Sequence, residues 1–312
     1  MSATEAPVTA SAPVVAERIS LPAAVVDLSR ARQALLSVAQ PALGAMLASG
    51  GLPAVWKIAV GLVAASAGYL AVFSLNDVLD RRVDEAAIEH TRTDGSFDLD
   101  TVAVRHPLAR GDLSTSVSLM WVGSLGVLSA ACAYALAPIC LALFALAVVL
   151  EVLYCSLRSV SWTKTFVSGV MVAVGGLAGW AAVAPLTFAA APLFAFLALW
   201  EIAGRNLPND LADVASDAAV GIRTVATVFG GRTSARATLA GAVATLAVVA
   251  LFPVPLLLRA VWAALAVWTM IVPGVRLARR PVSDEAGSYF NRASLLPAVM
   301  FVAALAAFAI GS

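Results

Sequence analysis

Apolar residues run along this chain in long blocks without a charge, separated by short polar segments. Charge-free stretches lie between Arg32 and Lys57, Lys57 and Asp77, Asp112 and Glu151, Lys164 and Glu201, Arg236 and Arg259, Arg259 and Arg276, and from Arg292 to the end. A helix that crosses a bilayer needs about 20 apolar residues. The two longest stretches are nearly twice that, and each carries a central proline, Pro138 or Pro185, so each reads as a helical hairpin. The pattern therefore predicts nine spans, at roughly 33–50, 56–79, 115–136, 139–157, 164–184, 187–206, 236–252, 255–276 and 292–311. The fold class is all-α: a polytopic membrane protein built as a nine-helix bundle. In the eighth span Arg259 and Arg276 have to snorkel towards the interfaces.

Composition agrees with this reading. Of 312 residues, 61% are hydrophobic and 12% charged, against about 25% charged in soluble domains, and mean hydropathy is +0.91. Residues 1–28 lack a basic segment followed by a compact apolar core, which argues against a cleaved signal peptide. They read as a disordered or surface-lying tail ahead of a single membrane-embedded domain, 29–312. Of the 20 Lys and Arg residues, all but Lys57 and Arg259 fall in the tail or near connections that follow even-numbered spans. The positive-inside rule then puts the N-terminus and those connections in the cytoplasm of a cell-membrane protein. The basic residues are an orientation signal for the lipid bilayer and exclude a nucleic-acid patch. Cys132, Cys140 and Cys155 lie within spans without metal or disulfide spacing and read as small buried residues.

Two nine-residue segments share the pattern N-D-aliphatic-x-D-x-x-x-D: Asn76 to Asp84 (NDVLDRRVD) and Asn209 to Asp217 (NDLADVASD). They follow the second and sixth spans, so an even number of crossings puts both on one face. On a helix Asn76, Asp80 and Asp84 form one stripe with Asp77 beside it, and Asn209, Asp213 and Asp217 repeat it with Asp210 beside them. Like charges at that spacing repel. Two such stripes facing one another require cations. Oxygen donors without clustered Cys or His select a hard ion, and magnesium keeps waters and bridges to phosphates. The implied cofactor is Mg2+ and the implied ligand a diphosphate.

Basic residues near the same face are available to clamp that diphosphate: Arg32, Arg105, Arg110, Arg158, Lys164, Arg205 and Arg223. Lys164 stands out because it opens a span rich in glycine, with Gly169, Gly175, Gly176 and Gly179, where helices can approach closely. Arg223 stands out because it follows the second motif directly. The loop of roughly 35 residues between the second and third spans has the length of a lid, and its histidines, His90 and His106, read as surface residues.

With NDVLDRRVD at 76–84, RHPLARG at 105–111 and NDLADVASDAAVGIRTVATVFG at 209–230, the chain from about residue 30 onward resembles the UbiA superfamily of intramembrane prenyltransferases. The resemblance implies nine transmembrane helices, with Asn76, Asp80, Asp213 and Asp217 as the most direct magnesium or diphosphate ligands and Asp77, Asp84 and Asp210 in support. It also implies diphosphate contacts from the Tyr154 to Lys164 connection, which holds Arg158, and from Arg223 and, more weakly, Arg32. Departures from the commoner pattern are His106 within Arg105-His106-Pro107, Ala215 where an acid is frequent, and the long insertion carrying Asp94, Asp98 and Asp100.

The function expected is magnesium-dependent ionisation of an isoprenyl diphosphate, with transfer of the prenyl group to an aromatic or other lipophilic acceptor. Asp80, Asp213 and Lys164 would carry the catalysis by stabilising the leaving group. The alternatives are a terpene cyclase or a non-aromatic prenyl transferase on the same scaffold. Transport fits less well, because inverted transporter repeats face opposite sides and bind near the midplane.

Overall fold

The computed structural model describes residues 19–87 and 106–311. Arg105, His90, Asp94, Asp98, Asp100 and most of the proposed lid lie outside the described residues, as do residues 1–18. Helices account for all the regular structure within those bounds. In chain order they are α1 (Leu21–Leu28), α2 (Ala31–Ser37), α3 (Ala39–Ser49), α4 (Val55–Ala87), α5 (Thr115–Leu136), α6 (Pro138–Leu157), α7 (Lys164–Ala181), α8 (Ala191–Trp200), α9 (Leu207–Ala212), α10 (Val214–Ala219), α11 (Val225–Phe229), α12 (Gly231–Val249), α13 (Leu256–Ala266), α14 (Val272–Arg279), α15 (Ser283–Ala293) and α16 (Leu296–Gly311). A π-helical turn, Glu201–Asn206, joins α8 to α9, and a second, Val267–Ile271, joins α13 to α14.

Seven continuous helical segments among the described residues are long and apolar enough to cross a membrane. The other two expected spans are present as helices that miss that standard. The first is broken into α2 and α3 at Val38, because Pro41 has no N–H to bond the Ser37 carbonyl. The seventh, α12, is 19 residues long but carries Arg232 and Arg236 in its first turns. Both hairpins form where the prolines place them: α5 ends at Leu136 and Pro138 opens α6, and Pro185 lies in the turn after α7. Helix α4 outruns its expected end at residue 79, reaching Ala87. Hydropathy marks only the apolar part of it. The polar extension is held by Arg81, which bonds Glu85 one turn on at 2.7 Å and Thr115 at 2.6 Å.

Each π turn precedes a proline, Pro208 or Pro273, whose missing N–H releases the carbonyl four residues earlier and lets the helix widen. Residues 21–28, expected to end the tail, instead form α1. Its Ala24 and Leu28 are buried with Leu108 and Leu113 against Val78 of α4.

Helix α4 packs along α5, α6 along α7, and α7 lies between α3 and α8; α12 backs α8, and α16 closes the bundle against α3 and α13. Small residues set the spacing. A methyl group on Gly179 would overlap the Pro41 carbonyl, and one on Gly44 would overlap the Gly176 carbonyl. The main core joins Leu43, Phe196, Trp200, Trp262 and Met300 across these helices. By its spans and composition this is an integral, multi-pass membrane protein.

Candidate active site

A cavity of about 630 Å3 runs down the bundle. All eight polar positions of the two motifs line one end of it: Asn76, Asp77, Asp80 and Asp84 from α4, and Asn209, Asp210, Asp213 and Asp217 from α9, α10 and the residue between them. The other end is reached at Lys57, Leu136 and Ala182, where Lys57 Nζ donates to the Ala182 carbonyl at 2.7 Å. Between the ends the walls are chiefly apolar and aromatic, with Tyr69, Phe73, Phe144, Met171 and Phe301 among them.

The first motif lies on an unbroken helix, so its stripe faces the cavity as helical spacing requires. Arg30 Nη2 donates to Asn76 Oδ1 at 3.2 Å and to Asp77 Oδ1 at 3.1 Å. Arg158 ion-pairs with Asp80. Asp84 Oδ2 lies 3.1 Å from His106 Nδ1. His106 is therefore not the surface residue its loop position suggests, and the turn that follows explains why. Leu108 is buried under α1, and the turn closes by hydrogen bonds from Arg110 N to the His106 carbonyl and from Asp112 N to the Pro107 carbonyl. That anchor swings His106 over the motif in a left-handed backbone conformation, φ 54°. Ligand atoms of Asp77, Asp84 and His106 come within 4.8 Å of one another. Burial lowers the His106 pKa, but the close contact and charge of Asp84 together with the charge of Asp77 outweigh it, and the net shift is upward.

The second motif differs from the expected continuous stripe, because the helix breaks at Asp213 (φ −97°, ψ 14°). Backbone bonds from Asp213 N to the Asn209 carbonyl and from Asp217 N to the Asp213 carbonyl nevertheless keep the four-residue steps. The three side chains still line the cavity, and α10 touches α4 across it. Lys164, 4% exposed, donates to Asp210 Oδ1 at 3.0 Å and to the Tyr154 hydroxyl at 3.2 Å. Asn206 Nδ2 donates to the same hydroxyl at 3.3 Å, and the Thr165 hydroxyl donates to Asn206 Oδ1. Burial pushes the Asp217 carboxyl up to about 8; the negative charges of Asp210 and Asp213 add to this, and Lys164 and Arg158 oppose it.

The two motifs hold six aspartates, and the Arg30, Arg158 and Lys164 side chains ion-pair with three of them. Asp80 Oδ1 and Asp210 Oδ2 are buried without a hydrogen-bond partner among the described residues. A buried carboxylate oxygen in that state is costly unless a cation completes it. An oxygen-rich donor set with orphaned carboxylate atoms fits a hard divalent ion.

Of the expected diphosphate contacts, Arg158 and Lys164 line the cavity. Arg32 and Arg223 are exposed and are not among the lining residues. Arg223 contributes through its backbone, its N–H donating to the Arg158 carbonyl at 2.8 Å, so it props the connection that carries Arg158. Arg30 is a site residue that the sequence does not single out. It stands two positions before Arg32, and only its left-handed backbone (φ 43°) turns it into the site. Glu151 and Glu201, inside apolar spans, also line the cavity; an ionisable residue within a span is itself a signal of function.

Fold and site together define a polytopic helical membrane protein with opposed acidic motifs at one mouth of an apolar cavity. Comparisons with known proteins place it more narrowly. The model of the UbiA prenyltransferase family matches residues 37–305. The chain belongs to the UbiA prenyltransferase family. Among solved structures, the apo UbiA homolog of Aeropyrum pernix K1 superposes with a TM-score of 0.71 at 16% identity, covering 86% of this chain and 96% of that one. The Archaeoglobus fulgidus homolog bound to GPP and Mg2+ gives 0.68 at 16% identity, over 92% and 99%. These likenesses concern the fold. A protoheme IX farnesyltransferase of Salinispora tropica is 34% identical over 189 residues, 58% of this chain and 53% of that protein, so the match spans about half of the relative's length.

Proposed function

We propose that this protein is a magnesium-dependent intramembrane prenyltransferase that ionises an isoprenyl diphosphate and passes the prenyl group to an aromatic or other lipophilic acceptor. The observation that carries the reading is the convergence of both acidic motifs, with Arg158 and Lys164 between them, on the polar mouth of an apolar cavity. Asn76, Asp80, Asp213 and Asp217 would hold magnesium directly, with Asp77, Asp84, Asn209 and Asp210 around them. Magnesium held there supplies positive charge to the diphosphate oxygens. Arg158 and Lys164 stabilise the same leaving group as the allylic carbon–oxygen bond breaks, and both are positioned before the substrate arrives. The apolar walls exclude water from the carbocation until an electron-rich acceptor carbon captures it. The Mg2+-bound and GPP-bound Archaeoglobus homolog supports this choice of ion and donor class. We place the motifs on the cytoplasmic side of the cell membrane, an orientation that the lysine and arginine bias supports.

The test is incubation of purified protein with magnesium, allylic diphosphates of several lengths and a panel of phenolic, quinoid and polyene acceptors, read by mass spectrometry. A farnesyl donor and protoheme IX belong in the panel because the Salinispora relative is named for them. A prenylated acceptor that forms only with magnesium is expected. Cyclised hydrocarbon without acceptor consumption would move the reading to a terpene cyclase, and no magnesium-dependent diphosphate release from any donor would overturn it. Cysteine-accessibility labelling at Gly111 tests the orientation: labelling from the cytoplasm is expected, and labelling from outside reverses it.

A further inference from the structure

Helix α6 turns one stripe, Glu151, Cys155 and Arg158, towards the first motif. Arg158 pairs with Asp80. The other two residues converge on Asn76: its Nδ2 donates to Glu151 Oε1 at 2.8 Å and lies 3.3 Å from Cys155 Sγ, and Cys155 Sγ donates to the same Glu151 oxygen at 3.4 Å. Glu151 is 3% exposed and lies inside an apolar span. Nothing in the proposed diphosphate clamp requires a carboxylate there.

An asparagine can ligate a cation only through Oδ1, yet its two amide ends have nearly the same shape. Without a fixed partner, either end could face the site. Here the carboxylate of Glu151 accepts only from the NH2 end, while the guanidinium of Arg30 donates only to the oxygen end, at 3.2 Å. Turning the amide over would set oxygen against carboxylate and NH2 against guanidinium. We propose that Glu151 is a positioning residue that holds the Asn76 amide in the one orientation presenting Oδ1, beside Asp77, to a divalent cation. The inference rests on the reading that the first motif binds a metal–diphosphate complex.

The test measures Mn2+, used in place of Mg2+, binding to purified protein in the presence of inorganic diphosphate, from the loss of the free-ion EPR signal beyond that in the same diphosphate solution without protein. Loss of a residue that orients a metal ligand lowers metal affinity about 10–100-fold, and Glu151→Ala is expected to fall in that range. Glu151→Gln keeps a carbonyl oxygen for Asn76 Nδ2 and should bind close to wild type. The discriminating variant is Asn76→Asp, whose two oxygens are equivalent and need no orientation. Beside an intact Glu151 it sets two carboxylates in contact, so adding Glu151→Ala to Asn76→Asp should preserve or improve Mn2+ binding, the opposite sign to its effect on wild type. If wild-type protein takes up no Mn2+ with diphosphate, the functional reading and this inference fall together. If wild type binds but Glu151→Ala binds equally well, or weakens Asn76→Asp by the same factor as wild type, the positioning role alone is refuted.

Discussion

Lys164 offers the clearest separation between holding the fold and holding a ligand. Its ammonium lies 3.0 Å from Asp210 Oδ1, and the two side chains are 4% and 6% exposed. At that distance and an effective dielectric constant near 20, the Coulomb attraction is about 5 kcal/mol. Removing one partner of a buried pair costs about 3–5 kcal/mol, because the other charge stays buried without compensation. Lys164→Met keeps the stem and removes the charge, so unfolding in mixed micelles, followed by far-UV circular dichroism, should show a loss of that size. Adding Asp210→Asn removes the stranded charge and should recover most of the stability. Diphosphate affinity should not recover, because the amine that lines the cavity is still missing. A loss below about 1 kcal/mol, the level of an exposed pair, would refute the burial argument. Recovery of diphosphate affinity along with stability would remove Lys164 from the clamp.

Asp80→Asn and Asp213→Asn should each lower magnesium-dependent diphosphate release by about 10²–10³-fold, the loss typical of one preorganised electrostatic partner. The double variant should be little worse than either single one, because groups acting as a unit are non-additive; strictly multiplicative losses would mean that the two motifs act separately. Ala215→Asp, on an exposed position between the second-motif acids, serves as an acidic control and should release diphosphate near the wild-type rate. Gly179→Ala should destabilise the protein by about 1–3 kcal/mol through overpacking, since its methyl group overlaps the Pro41 carbonyl. Gly123→Ala, with open space around it, should gain about 0.4–1 kcal/mol, and thermal unfolding in detergent compares the two.

Much of this protein is legible in its amino-acid sequence. Charge-free blocks and two central prolines determine the spans and hairpins, because a bilayer tolerates little but apolar helix and a proline between two such helices marks a turn. The repeat N-D-x-x-D-x-x-x-D determines which acids gather at the polar mouth of the cavity, because its helical spacing puts them on one face. What the sequence could not contain is direction and reach. Hydropathy ends α4 at the membrane edge, although helical hydrogen bonding carries it on to Ala87. Arg32 and Arg30 look interchangeable in the chain, but a left-handed residue turns Arg30 onto Asn76 and Asp77 and leaves Arg32 exposed. Arg223 follows the second motif in sequence, yet its side chain faces solvent while its backbone props Arg158. His106 reaches Asp84 only because Leu108, two residues on, is buried beneath α1. Composition and periodicity are local quantities and survive in one dimension. Which cation meets which carboxylate depends on helix ends, turns and the packing of distant segments, and those distances exist only once the chain has folded.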